Sequence, residues 1–239
     1  MLSIYRITAV ILRLWYEFIN QWSRIFDTFF WPVIDLFIWG LTFFYLESAV
    51  PQISFTKVIL GALLFSSVLY SVQRDVTMGF LQEVWDRNLY NLFATPIRLS
   101  EVIIGSCVTA IIKMLMLVVI VSLGAYLFYD FNPLEFVPLF LGGITTVTLF
   151  GIFFGILTTA FIFHMGSHVQ TLSWSGMGIL MPLMCIYYPV SALPKVLQSL
   201  AWILPPSYVF EYVRGFVNTQ HVPGLTEWLL PNLLNILFL

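Results

Sequence analysis

The sequence contains few charged residues and little cysteine. Of its 239 residues, 9% are Asp, Glu, Lys or Arg, and 60% are hydrophobic. So few polar side chains cannot cover a water-soluble globule, and we expect an integral membrane protein in a lipid bilayer. The formal net charge of −2 argues against a nucleic-acid partner. Cys107 and Cys185 both lie in apolar runs, which predicts free thiols and no disulfide.

The sequence also lacks the usual signatures of catalytic and metal sites. Its three lysines, Lys57, Lys113 and Lys195, follow Thr, Ile and Pro, so no phosphate-binding loop ending in Gly-Lys is present. No arrangement of Ser, His and acidic residues indicates a nucleophile, and we expect no catalytic and no cofactor-binding residue. His164 and His168 have the spacing of two zinc ligands, but no third ligand lies nearby in sequence. We therefore expect an interfacial turn there and no metal site.

Long apolar runs predict an all-α, polytopic membrane protein with a single transmembrane domain over residues 1–239. An amphipathic pattern within residues 1–23 predicts a helix that lies in the membrane interface. A cytosolic helix packed on its own protein would show the same pattern. Five spans are predicted next, within residues 25–46, 58–72 with an extension past Arg74, 102–128, 136–163 and 169–188.

The C-terminal part of the chain is broken by prolines. Four of them divide residues 189–214 into pieces too short to cross a bilayer, and we expect outer re-entrant helices there. Broken backbone of this kind is tolerated in a membrane only beside protein or a watery cavity. The last apolar run, Trp228–Leu239, is shorter than the ~20 residues of a span and contains Pro231. We therefore expect a truncated sixth span; the alternative is a half-span sealed by its neighbours.

Residues 81–98 form a charged island between the second and third predicted spans. Trp85, Leu89 and Phe93 share one helical face, and Pro96 ends the helical pattern. A solvated connector is the plain interpretation, but an ordinary connection between helices needs only ~2–8 residues. The length of the island favours an amphipathic helix with a function.

This island resembles the cytoplasmic coupling helix of the ABC-2 family of ATP-binding-cassette permeases. In that family an acidic residue opens a short helix that is closed by a Thr-Pro pair and a further acidic residue. Four residues occupy these places here: Glu83, Thr95, Pro96 and Glu101. Residues 29–40 (FFWPVIDLFIWG) resemble the first span of the family, and residues 204–215 (LPPSYVFEYVRG) resemble the segment before its final span. The sequence departs from the family in its short last run and at Asn88, where many relatives have glycine.

The resemblance implies one half of a six-span ABC-2 exporter, of the kind also called type V. Two permease copies, or one copy and a paralogue, would form a dimeric pathway, and separate ABC ATPase subunits would bind ATP and Mg. The chain itself would be a subunit without enzymatic activity. The cargo would be a polysaccharide, a glycolipid, a drug or another amphiphile. We expect seven residues to mediate ATPase coupling: Glu83, Trp85, Asp86, Arg87, Thr95, Pro96 and Glu101.

The distribution of basic residues favours a cytoplasmic N-terminus in a cell inner (plasma) membrane. Under the predicted layout, six arginines fall on the side of the N-terminus and three basic residues fall on the other side. The six are Arg6, Arg13, Arg24, Arg74, Arg87 and Arg98; the three are Lys57, Lys195 and Arg214.

Two charged residues, Asp35 and Lys113, lie inside predicted spans, where each costs ~2.5–3.5 kcal/mol at a helix centre. Lys113 either extends towards the interface or has a function, and Asp35 either bonds another helix or lines the pathway. The candidates for the pathway or the outer re-entrant region are Asp35, Tyr208, Glu211 and Arg214. The alternative function is an ion-coupled carrier or channel that needs no ATPase, with ionisable residues at mid-membrane on broken helices.

Three local patterns predict packing contacts. Gly151 and Gly155 form a GxxxG pair, which favours close helix packing inside one subunit or between two. Asp27 lies three residues after Arg24, which predicts a local ion pair. The aromatic residues around the outer re-entrant region either anchor it at the membrane interface or form a stacking surface for a sugar or an aromatic drug.

Overall fold

The computed structural model describes residues 3–49, 55–85, 91, 94–166 and 171–239. This part of the chain contains α-helices and short 3-10 turns and no β-strand, which confirms the all-α prediction. Its α-helices, in chain order, are α1 (Ile4–Asn20), α2 (Trp22–Ala49), α3 (Phe55–Trp85), α4 (Leu99–Tyr129), α5 (Val137–Met165), α6 (Leu172–Met184), α7 (Lys195–Ala201), α8 (Pro205–Thr219) and α9 (Leu225–Phe238).

Four of the described helices, α2 to α5, are long and apolar enough to cross a bilayer. They correspond to the first four predicted spans, and they make the protein a multi-pass membrane protein. The helix in the fifth predicted span, α6, has 13 residues. It ends before Cys185, whose backbone is left-handed. The last helix, α9, has 14 residues and contains Pro231.

Helix α3 lies at the centre of the bundle, and most of its span is buried. It packs against α5 at the GxxxG pair of that helix. A Cβ atom on Gly155 would lie 2.8 Å from Val76 Cβ and 3.0 Å from the Gln73 carbonyl oxygen. The two helices therefore approach closely because Gly155 has no side chain. The sequence predicted that the GxxxG pair packs either inside one subunit or between two. In the structure it packs inside one subunit.

Helix α1 has two apolar faces. Val10, Leu14 and Phe18 are buried against the bundle, and Val10 lies over Gly105 of α4, where a Cβ atom would clash with it. The opposite face exposes Tyr5, Leu12, Tyr16 and Ile19, which recur at helical spacing. An exposed apolar face of this kind is typical of a helix lying at the lipid surface, as predicted from the sequence. A single residue, Gln21, separates the end of α1 from the start of α2.

The described C-terminal helices are short where prolines predict breaks. A 3-10 turn, Val190–Ala192, and the seven-residue α7 precede α8, which begins with two prolines in its first turn. Proline is tolerated there because the first amides of a helix have no partner within the helix. Ser207, Val209 and Phe210 of α8 are fully buried, so this helix belongs to the core.

Candidate functional site

Five of the seven residues predicted to couple to an ATPase lie in the described part of the chain. Glu83 and Trp85 are in the last turn of α3, whereas Thr95 and Pro96 precede α4 and are exposed. Glu101 lies in the first turn of α4. Asp86 and Arg87 fall outside the described residues, as does Asn88. Because α3 continues without a break to Trp85, residues 81–85 extend the second span and do not begin a separate helix.

Glu83 is buried and forms an ion pair with α1. Its Oε1 lies 2.6 Å from Nη2 of Arg13, whose Nε also donates to Glu17 at 3.0 Å. Burial lowers the pKa of the Arg13 guanidinium, but the hydrogen bonds and charges of Glu83 and Glu17 outweigh it, and the pKa is raised above its usual value. The continuous α3 turns this side chain towards α1, so Glu83 packs inside the subunit. Its role in ATPase coupling stays a prediction.

Glu101 is fully buried, and its carboxylate makes contacts with three other residues. The backbone amides of Ser3 and Arg98 donate to its two oxygens, at 2.9 and 3.0 Å. The Arg98 contact is the capping-box arrangement, which satisfies an amide at the start of α4. Nη2 of Arg6 lies 3.1 Å from the same carboxylate, and Arg6 also donates to the Pro96 carbonyl. Charge-assisted hydrogen bonds of this kind are the strong ones in proteins.

One helix therefore holds both ends of the charged island. Arg6 and Arg13 are seven residues apart on α1, about 10.5 Å along its axis. Arg6 contacts Glu101 at the start of α4, and Arg13 contacts Glu83 at the end of α3. We call these two ion pairs the α1 clamp. The exposed residues Thr95 and Pro96 lie between the two pairs in sequence.

The sequence did not predict the partners of Glu83 and Glu101. Arg6 and Arg13 entered the prediction only as basic residues that set the orientation. Their seven-residue spacing puts both on one side of α1, and this was the available signal. Spacing alone does not identify the partner carboxylates. Glu83 lies 70 residues after Arg13, and Glu101 lies 95 residues after Arg6.

Lys113 pairs inside the bundle and is largely buried. Its Nζ lies 3.7 Å from Oδ1 of Asp75 on α3 and 4.6 Å from the centre of the Phe18 ring on α1. The side chain therefore joins three helices. Asp75 was not recognised as an intramembrane charge, because the sequence had α3 leaving the membrane after Arg74.

Two charged residues near the start of α2 have different partners from those predicted. Arg24 Nη1 lies 3.4 Å from Glu17, and Asp27 Oδ1 accepts a hydrogen bond from Trp31 Nε1 at 3.0 Å. The predicted Arg24–Asp27 pair is therefore wrong. Arg24 reaches back to α1 because the chain turns sharply at Gln21, which brings Glu17 close.

Asp35 opens into a groove between α2, α3 and the end of α6. The groove has a volume of about 430 Å³. Its walls combine aromatic rings with hydroxyl groups: Trp31, Trp39, Tyr70, Tyr187, Ser66, Ser67 and Ser71. The Trp39 and Tyr187 rings lie 4.9 Å apart between centroids. The surface is amphiphilic, because one carboxylate and several hydroxyls face the same space as four rings.

The other three pathway candidates bind backbone groups, and two of them, Glu211 and Arg214, hold the turn after α6. Arg214 donates to the carbonyls of Cys185 and Tyr188, and Glu211 accepts from the Val190 amide at 2.6 Å. Tyr208 donates to the Trp202 carbonyl at 2.9 Å. Among the described residues that line the groove, Asp35 is the one that belongs to the predicted set.

Four membrane-length helices, with α1 tied to two of them, and an amphiphilic groove define a polytopic helical membrane protein. A family model described as ABC-2 type transporter matches residues 8–217, which is most of the chain. The chain belongs to the ABC-2 type transporter family, as the resemblance implied. It is therefore the permease part of an ABC transporter, and this family usually works with an ATP-binding subunit. No curated protein matches the sequence.

Proposed function

We propose that the chain is the membrane subunit of an ATP-driven exporter. Two copies, or one copy and a paralogue, form the pathway, and a separate ABC ATPase binds at the segment between α3 and α4. Membership of the permease family supports the overall role. The observation that carries the ATPase site is the α1 clamp. It holds both ends of a segment whose Thr95 and Pro96 are exposed and accessible to a partner.

The clamp also suggests how movement reaches the membrane. ATP and Mg are bound by the partner, and closure of the partner displaces the segment between α3 and α4. Because α3 and α4 continue from that segment as membrane spans, its displacement tilts both helices. The buried carboxylates Glu83 and Glu101 resist local slippage, since an unpaired buried charge would cost several kcal/mol.

The groove around Asp35 is the proposed part of the pathway within this subunit. Its rings can stack on a sugar or an aromatic ring, and its hydroxyls and carboxylate can bind polar groups on the same molecule. This chemistry suits an amphiphile, such as a glycolipid, a polysaccharide or a drug. The N-terminus and the segment between α3 and α4 then face the cytoplasm of a cell whose inner membrane holds the protein.

A charge exchange across the clamp tests the proposal. The chain is purified with its ABC ATPase in lipid vesicles, and the stimulation of ATP hydrolysis by cargo is measured. We expect Arg13→Glu and Glu83→Arg each to lower the stimulation severalfold. The double variant should regain at least half of it, because the pair is restored with its charges exchanged.

The matched control is the exposed pair Lys57–Glu135, whose atoms are 3.7 Å apart. Exchanging its charges should leave the stimulation unchanged, since exposed pairs contribute ~0–1 kcal/mol. Undiminished stimulation in both single clamp variants would overturn the coupling role. Failure to recover a co-purifying ATPase that depends on residues 81–96 would overturn the exporter itself.

One observation favours the alternative of an ion-coupled carrier. The Lys113–Asp75 pair places two ionisable groups inside the spans, where such residues often serve ion pathways. Vesicles that contain this chain alone distinguish the two functions. Uptake or release of solute driven by a proton gradient, without any ATPase, would support the carrier and contradict the exporter.

A further inference from the structure

A second cavity, which shares Arg74 with the lining of the Asp35 groove, lies between α1, α2, α3 and α4. Its volume is about 170 Å³, several times the ~30 Å³ that one water molecule occupies in the liquid. Leu14 and Phe18 form the wall contributed by α1. The charged residues of the lining are Arg24, Asp27, Arg74, Asp75 and Lys113.

Three cations and two carboxylates face this cavity, and the contacts among them are long. Lys113 Nζ and Arg74 Nε lie 3.7 and 3.9 Å from the same Oδ1 atom of Asp75. The Asp27 carboxylate is engaged by Trp31, and Arg24 is shared with Glu17 outside the lining. One carboxylate oxygen therefore serves two buried cations, which leaves positive charge in the cavity incompletely balanced.

Several buried polar atoms of the residues that line the cavity have no hydrogen-bond partner among the described residues. Arg74 Nη2 is one of them, and Arg74 Nη1 reaches only the Asp27 carbonyl, at 3.5 Å. Ser106 Oγ and Asp75 Oδ2 are also without a partner in the described part of the chain. Such groups are costly to leave unpaired, and a guanidinium is well suited to the oxygens of a phosphate. A hydroxyl beside that phosphate would donate to Asp75.

The cavity is placed where a head group could enter. Its α1 wall belongs to a helix whose outer face is apolar and exposed, as expected at the lipid surface. Arg24 lies in the first turn of α2, and Trp85 at the end of α3 also lines the cavity. The mouth therefore lies near head-group depth in the leaflet that contains α1. Basic pockets between membrane helices bind anionic head groups by this arrangement.

We propose that this cavity binds a phosphate group with a neighbouring hydroxyl, supplied by an anionic phospholipid or by free hydrogen phosphate. The phosphate oxygens accept from Arg74 and Lys113, Arg24 lies at the mouth, and the hydroxyl donates to Asp75. Binding stabilises the contact of α1 with α2, α3 and α4, since all four helices line the site. The proposed binding requires neither the ATPase partner nor a cargo, although Arg74 also lines the Asp35 groove and Trp85 belongs to the predicted coupling residues.

Lipid titration of the purified chain in neutral detergent tests the site. Dioctanoyl phosphatidylglycerol, dioctanoyl phosphatidylcholine and inorganic phosphate are added separately, and affinity is measured from the thermal unfolding midpoint and from native mass spectrometry. We expect phosphatidylglycerol to bind more tightly than phosphatidylcholine. Arg74→Gln should weaken that binding about tenfold, through loss of a charge-assisted contact.

Two further variants make the result decisive. Arg24→Gln changes a partly exposed residue of the same cavity and should weaken binding in the same direction if Arg74→Gln does not fold. Lys195→Gln, an exposed cation outside the cavity, should leave the affinity unchanged. Inorganic phosphate that binds with the same dependence on Arg74, while the lipid does not bind, would support the site and identify a soluble source. Equal lipid affinity in the wild type and in both arginine variants would overturn the proposal.

Discussion

Lys113 shows how a single charge is accommodated within a membrane span. The side chain lies between Asp75 of α3 and the Phe18 ring of α1, and it shares the Asp75 carboxylate with Arg74. A buried pair of this kind adds little net stability over an apolar pair of similar shape. Removal of Lys113 is costly, because Asp75 then keeps only the longer contact with Arg74, at 3.9 Å.

We predict that Lys113→Met lowers the free energy of unfolding by about 2 kcal/mol, less than the loss for an isolated buried pair because Arg74 remains beside Asp75. The double variant Asp75→Asn with Lys113→Met should be no more stable than the single variant, since Arg74 then loses its carboxylate partner. Unfolding of the chain in detergent, followed by intrinsic fluorescence, measures both values. Lys195→Met, at an exposed position, serves as the control and should change the stability little. A single variant as stable as the wild type would contradict the pairing.

Arg214 acts on the backbone of another segment. It donates to the Cys185 and Tyr188 carbonyls, and Cys185 is fully buried with left-handed backbone. The three residues of the proline-rich C-terminal part that the sequence singled out, Tyr208, Glu211 and Arg214, therefore bind backbone. Their polar types drew attention to them, but only the structure shows that Glu211 and Arg214 bind the turn after α6 and that Tyr208 binds the Trp202 carbonyl after α7.

We predict that Arg214→Ala exposes the Cys185 thiol. Without the guanidinium the carbonyls at the end of α6 lose their donor, and the turn loosens. In a Cys107→Ala background, labelling by a membrane-permeant maleimide should be slow in the parent chain and at least tenfold faster in the variant. Tyr208→Phe is the control, since it removes one hydroxyl from a different contact. Equally slow labelling in the Arg214 variant would show that other contacts hold the turn.

At the scale of the helices, α5 packs closely on α3. Gly155 of α5 lies against Val76 and the Gln73 carbonyl, so that even one methyl group has no room. By contrast, a Cβ atom on Gly178 of α6 would have no heavy atom within 4 Å. The two glycines are a matched pair, because both lie within helices and only one lies at a contact.

We predict opposite effects for these two substitutions. Gly155→Ala should lower the free energy of unfolding by about 2 kcal/mol, through overpacking of a close helix contact. Gly178→Ala should raise it by up to ~1 kcal/mol, because alanine favours the helix more than glycine does. Thermal unfolding in the same detergent compares the two. Destabilisation of equal size at both positions would show that glycine is not needed for the α3–α5 contact.

The helices themselves could largely be predicted from the sequence. Apolar runs long enough to cross a bilayer locate α2 to α5, and the spacing of apolar residues locates α1. The end of α3 was predicted less well, since charged residues after Arg74 suggested that the helix left the membrane. These charges are tolerated because Asp75 and Glu83 meet cations from α4 and α1. Such long-range pairs carry no signal in a single sequence.

For the whole molecule, the proposed orientation places the exposed Thr95 and the exposed Lys195 on opposite sides of the membrane. The numbers of basic residues support this arrangement, with more of them on the side of α1. The candidate groove was predicted only through Asp35, because its other lining residues, which include serines, aromatic rings and Arg74, are dispersed over three segments. They share a wall only after the helices pack.

We predict that cysteines placed at these two positions react from opposite sides. In a chain without its native cysteines, Thr95→Cys should react with an impermeant maleimide only in inside-out vesicles. Lys195→Cys should react only in right-side-out vesicles. Both residues are exposed, so access and not burial decides the result. Labelling of both positions in one type of vesicle would contradict the proposed topology.

The α1 clamp has a mechanical consequence for the assembled transporter. Two ion pairs join α1 to the end of α3 and to the start of α4. These three parts of the chain therefore resist sliding past one another unless an ion pair breaks. A pull on Thr95 or Pro96 therefore turns the bases of both spans as one block. Under the proposed function, with α1 at the lipid surface, each stroke of that block would also push head groups aside. The lateral packing of one leaflet would then be part of the work of each transport cycle.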